Sequence, residues 1–135
     1  MGDSVKSEKI TINVGLVDLG QIDLLVSEGF FANRTDFIRT AIRRQLESHS
    51  SALDSTVARR ELVLGSAHLS REALEELRES GRTVELRVLG LASIADDVSP
   101  ELAVATIATV DVLGAFRAPR DVKAALASRT TKGLP

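Results

Sequence analysis

Lys9, Thr11 and Asn13 stand at alternate positions in the stretch KITINV, interleaved with Ile10, Ile12 and Val14. Side chains on a β-strand alternate faces with period two, so this stretch would present three polar groups on one side and three branched apolar groups on the other. An ammonium, a hydroxyl and a carboxamide can each hydrogen-bond to a base edge, and a two-stranded ribbon fits the DNA major groove. The polar face is therefore a candidate for base readout. Other chemistry finds less support. His49 and His68, the only histidines, have no carboxylate or thiolate cluster around them in the sequence and read as structural or surface residues, so no metal-ligand set is expected. Asp96 and Asp97 would suit an acid–base pair, but their place just before VSPEL fits a loop leading into a helix. Ser70, Ser93 and Ser99 lack a His-Asp frame for nucleophilic catalysis. The glycines are isolated rather than grouped into a phosphate loop. Aromatic residues make up 3% of the chain, with no Trp or Tyr, which does not support stacking on single strands. We expect no catalytic residue, no cofactor and no metal.

The chain of 135 residues is long enough for one domain or two small ones. Its 44% hydrophobic and 27% charged residues are ordinary globular values. Without cysteine, disulfides and thiolate metal sites are excluded, and a reducing compartment is compatible. The N-terminal stretch MGDSVKSEKI has no apolar core of a secretion signal, and its Met-Gly start alone is a weak myristoylation signal. No apolar run approaches the ~20 residues that span a bilayer. A cytoplasmic protein with no membrane contact is the expectation. A net charge of −2 requires any nucleic-acid contact to be local.

Residues 1–8 are expected to form a flexible arm. After the strand, Leu16, Leu19, Ile22, Leu25 and Val26 recur at helical spacing, Gly20 weakens that helix, and Gly29 suits the position just past its end. Asn33 is placed to cap a second helix, with Asp36 in its first turn. Phe37, Ile38, Ala41, Ile42, Gln45 and Leu46 then form a stripe that leaves Arg34, Arg39, Arg43 and Arg44 largely outside it. A strand and two helices in fewer than 40 residues cannot bury a core of their own. The consistent solution is a two-fold dimer in which strand 9–14 pairs antiparallel with its own copy. Ile10, Ile12, Val14, Phe37, Ile38 and Ile42 would then form the dimer core.

The string KITINV…GQIDLLVSEGFFANRTDFIRTAIRRQL resembles the ribbon-helix-helix (CopG/Arc-like) family of bacterial and archaeal DNA-binding proteins over about residues 8–47. NRTDFIRTAI stands where that family commonly has Ser-Arg-Ser-Glu-Phe-Ile-Arg. The resemblance implies an intertwined homodimer, base readout by Lys9, Thr11 and Asn13, and phosphate contacts from the backbone amides of Asn33, Arg34 and Thr35. A helix N-terminus is an intrinsic anion site, which agrees. Residues 1–47 carry six positive and seven negative side chains, so binding to double-stranded DNA must come from where the charges sit. The plainer alternative is an amphipathic dimerisation module that binds no nucleic acid.

Residues 48–60 read as a linker or an extension of the second helix. Beyond them, LVLG, RVLG and DVLG recur with glycines at 65, 90 and 114, each followed by a helix-like stretch (SREALEELRESG, SPELAVATIATV and PRDVKAALASR). Ser70 and Ser99 are plausible N-caps, and Pro100 and Pro119 suit a first helical turn. A unit of about 24 residues lies in the leucine-rich-repeat size range, though the Asn or Cys ladder of those repeats is missing. The expected fold class is α+β: a ribbon-helix-helix domain at 9–47 and a small α/β repeat-like domain at 61–130, three stacked β-α units with a parallel sheet, followed by a tail at 131–135. Chance recurrence of Val-Leu-Gly in an ordinary α/β domain is the alternative. The whole chain is similar to CopG-family proteins with a C-terminal extension. The expected function is a sequence-specific transcriptional regulator, a repressor acting as homodimer or higher oligomer, such as a tetramer. An antitoxin-type autoregulator whose C-terminal domain binds a protein partner, or a self-assembling scaffold, are the alternatives.

Overall fold

The computed structural model describes residues 7–131 and divides into two compact units, with the boundary between Ser55 and Thr56. Most of the expected tail at 131–135, residues 132–135, and most of the expected arm, residues 1–6, lie outside the described residues.

The first unit contains α1 (Leu16–Ser27), α2 (Arg34–Ser48) and the beginning of α3 (Ser50–Arg59). α1 ends where Gly29 takes φ 87°, and the amides of Gly29 and Phe30 donate to the carbonyls of Val26 and Leu25. That pair of bonds satisfies two carbonyls at the helix end and turns the chain. α2 starts at Asn33, whose side chain accepts from the Asp36 amide at 2.8 Å. Asp36 in turn accepts from the Ala32 amide at 2.9 Å, so the first turn is closed reciprocally. Phe31 and Phe37 meet edge to face, with ring centroids 5.0 Å apart. His49 ends α2 with Nδ1 2.9 Å from the Gln45 carbonyl.

In the single chain, Lys9–Val14 forms no strand. The physical reason is that a strand needs a neighbour for its amides and carbonyls, and the other strands of the chain pair among themselves in a separate unit. No residue from 7 to 61 is buried.

The second unit is a three-stranded parallel sheet in the order β1 (Val63–Leu69), β2 (Val84–Ile94), β3 (Ile107–Arg117). The strands alternate with α4 (Arg71–Glu79), α5 (Pro100–Thr106) and α6 (Arg120–Ala125), and a short 3-10 turn at Ala127–Arg129 follows. Ser70 and Ser99 cap α4 and α5 by accepting from the Ala73 and Leu102 amides. Pro100 opens α5, whereas Pro119 stands one place before α6, as its cap. The helical reading of SPELAVATIATV holds only to Thr106; Ile107 begins β3, where β-branched residues fit the pleat.

Leu74, Leu102, Val122 and Leu126 from the helical segments cover Leu86, Val88, Val110 and Ile107 of the sheet, all at 3% exposure or less. Arg129 reaches across to the carbonyls of Val104 and Ile107, and the Thr131 amide donates to Val110. Along β2, buried residues alternate with half-exposed ones such as Arg87, Leu89 and Leu91, so the helices cover one face of the sheet. On the other face Leu64, Leu89 and Leu113 share one row.

Gly65, Gly90 and Gly114 pair with one another across the three strands, at φ 123°, 141° and 116°. A Cβ on Gly90 would lie 2.0 Å from the Gly65 carbonyl oxygen, and one on Gly114 would lie 2.1 Å from that of Gly90. The close backbone stacking here admits no side chain. We predict that Gly90→Ala destabilises the second unit by roughly 3 kcal/mol or more. Gly65→Ala, which meets open space, should cost only its backbone strain. Urea denaturation followed by circular dichroism ranks the two.

Candidate nucleic-acid interface

Lys9, Thr11 and Asn13 are all exposed. So are the apolar residues between them, with Ile10 at 75%, Ile12 at 68% and Val14 at 38%. The stretch therefore offers both a polar row and an apolar row to its surroundings. Of the other expected core residues, Ile38 and Ile42 are exposed and Phe37 is half-buried against Phe31. A groove lined by Ile22, Leu24, Leu25 and Phe37 opens between α1 and α2.

At the start of α2 the amides of Arg34 and Thr35 have no carbonyl one turn back to receive them, while the Asp36 amide is taken by Asn33. The expected phosphate-contacting set is thus exposed at a helix N-terminus. The Arg34 side chain has a separate role. Its guanidinium holds Asp23 of α1 through two bonds, Nε to Oδ1 at 2.7 Å and Nη2 to Oδ2 at 2.8 Å. This fork ties the first turn of α2 to the middle of α1. The hydrogen bond from Arg34 holds the Asp23 carboxyl below its ordinary range, and the same bond raises Arg34. Sequence reading missed the pair because two opposite charges eleven positions apart, across a turn, carry no spacing signal.

The second unit brings together residues that looked unrelated in the sequence. His68 Nδ1 lies 2.7 Å from Ser93 Oγ, so Ser93 does have a histidine partner. No carboxylate is hydrogen-bonded to that imidazole among the described residues, so the orienting third member of a nucleophilic triad is missing. A signal for the pairing existed. His68, Ser93 and Arg117 follow one another at the same 25- and 24-residue intervals as Gly65, Gly90 and Gly114, and registering the repeats would have placed them in one row. At the other end of the sheet Arg60 holds Asp111 through two contacts of 2.8 and 3.1 Å. No group of His, Asp or Glu among the described residues is arranged to hold a metal ion, and no described helix is long and apolar enough to cross a membrane.

The family model for the Ribbon-Helix-Helix transcriptional regulator family matches residues 5–123, and the chain belongs to that family. It is thereby a transcriptional regulator, of a kind that typically binds DNA and dimerises and is generally non-enzymatic. No curated protein and no solved structure matched the chain.

A lowered Asp23 stabilises the fold above its unfolded-state value and loses that contribution as pH falls through the folded-state value. Asp23→Asn should therefore reduce stability slightly near neutral pH, with the difference from the parent chain closing only in acid below the ordinary carboxylate range. Denaturation of both proteins at neutral pH and in such acid checks this. A difference that persists in acid contradicts it.

Proposed function

We propose that this regulator is a homodimeric, sequence-specific repressor that reads DNA with a ribbon made of Lys9–Val14 from two copies. The observation that carries the reading is that no described residue of the first unit is buried, while Ile10, Ile12, Val14, Leu16, Ile38 and Ile42 stand exposed. Each such side chain contributes roughly 1.5–3 kcal/mol when covered. Antiparallel pairing of the two stretches satisfies their backbone groups and sends the three apolar residues of each toward the helices. The same pairing leaves Lys9, Thr11 and Asn13 of both copies on one outward surface, facing the major groove. The exposed amides of Arg34 and Thr35, with Asn33 as cap, support a phosphate contact on either side that fixes the ribbon's register. Arg39, Arg43 and Arg44 add positive charge along α2, and the DNA contact draws on that placement in a chain whose net charge is negative. Unit two adds contacts between dimers in this reading.

A second reading, an antitoxin-type autoregulator whose C-terminal unit binds a protein partner, draws on the row Leu64, Leu89 and Leu113, of which Leu64 is exposed and the other two are half-buried. Leu113→Asp separates the two. It lowers the solution mass where copies pair through this row and leaves it unchanged where a foreign partner uses it.

The groove-face test replaces Lys9, Thr11 and Asn13 with alanine, singly and together. Each change should leave the fold intact and weaken binding to the cognate site by about 1–3 kcal/mol where it contacts a base. Unchanged affinity of the triple variant in a gel shift overturns ribbon readout. Ile12→Asp should remove dimerisation and DNA binding together, because a charge in the shared core has no partner. A variant that stays dimeric by sedimentation contradicts the pairing.

A further inference from the structure

At the carboxyl ends of its three parallel strands the second unit has an open cavity of about 450 Å³, distant in sequence from the DNA-facing residues. His68, Ser93 and Arg117 occupy one register row across β1, β2 and β3, and all three line it. Asp96 and the apolar Ile94 and Ala118 complete most of its wall. The volume falls in the range of a small-ligand site.

The side chains define what fits. Arg117 carries a planar fork of five N–H donors, more than a single partner takes up. The 2.7 Å contact between His68 Nδ1 and Ser93 Oγ fixes both groups side by side. It leaves the far imidazole nitrogen and the remaining capacity of the hydroxyl for a third partner. A cationic fork beside an imidazole and a hydroxyl suits an oxyanion. Asp96, the one carboxylate in the wall, repels negative charge, so an oxyanion held here depends on Arg117 for its charge complement. We propose that this cavity binds a small molecule through a carboxylate or phosphate group, with Arg117 as charged anchor and Ser93 and His68 as hydrogen-bonding partners.

The two histidines provide the test. His49 lies in the first unit and His68 in the cavity, so the full chain gives two imidazole Cε1–H proton signals, one of which is an internal reference. Inorganic phosphate and acetate are titrated separately at fixed pH, with ionic strength held constant by chloride. The expected result is a saturable movement of the His68 signal with at least one of them, while His49 stays in place. Response to phosphate alone assigns a phosphate ligand, and response to acetate alone a carboxylate. Arg117→Gln should weaken the response roughly tenfold or more. Ser93→Ala should also weaken it, and it decides the matter if circular dichroism shows Arg117→Gln unfolded. A His68 signal that stays still, that moves in step with His49, or that responds undiminished in the folded variants overturns the proposal.

Discussion

Ile10, Ile12 and Val14 face water in the single chain, as do Ile38, Ile42 and Leu46 of α2, and no described residue before Leu62 is buried. Apolar surface of that extent is not held open at equilibrium when a complementary copy is present. Local chemistry fixes each helix well enough: the Gly29 turn, the Asn33 cap, the Asp36 return bond and the Asp23–Arg34 fork shape α1 and α2 and set the angle between them. None of these encloses a core. Covering the first unit with a second copy is what converts Lys9–Val14 from an extended stretch into a strand in our account. It is also what gathers six polar side chains onto one surface. DNA readout and dimerisation are thus one event in this reading.

The second unit solves the burial problem within one chain. Leu74, Ile107, Val110, Val122 and Leu126 are fully enclosed, and the strands stack closely enough at Gly90 and Gly114 to exclude a β-carbon. Parallel sheets are commonly covered on both faces. Here the helices cover one, which leaves the Leu64, Leu89 and Leu113 row and the strand ends where His68, Ser93 and Arg117 line up.

How far the sequence led depended on how local each signal was. Asn33, Ser70 and Ser99 announce their helices because a capping side chain acts on an amide three residues away. The 25- and 24-residue spacing of the Val-Leu-Gly strings corresponds to the register of Gly65, Gly90 and Gly114, since equal steps along the chain become neighbours across a stacked sheet. The end of α5 at Thr106 lies where two readings overlap, because Ala108, Val110 and Val112 alternate as a strand while the small residues of TIATV also tolerate a helix, and β3 takes the stretch from Ile107. The Asp23–Arg34 fork and the His68–Ser93 contact escaped notice for one reason: each joins different elements, and a side-chain pair becomes visible only when packing has set the distance. Lys9, Thr11 and Asn13 were readable as an alternating polar row. Whether that row becomes a surface is a property of two chains.

Hydrogen exchange at the amides of residues 9–14, followed by mass spectrometry over a dilution series without DNA, tests the pairing most directly. Our account predicts slow exchange at high protein concentration, from ladder hydrogen bonds between copies, and fast exchange once dilution separates them. Protection of α4, α5 and the sheet in the second unit should stay constant across the same series. Fast exchange of residues 9–14 at every concentration, in a chain whose second unit remains protected, would contradict the shared ribbon and with it the proposed mode of DNA reading.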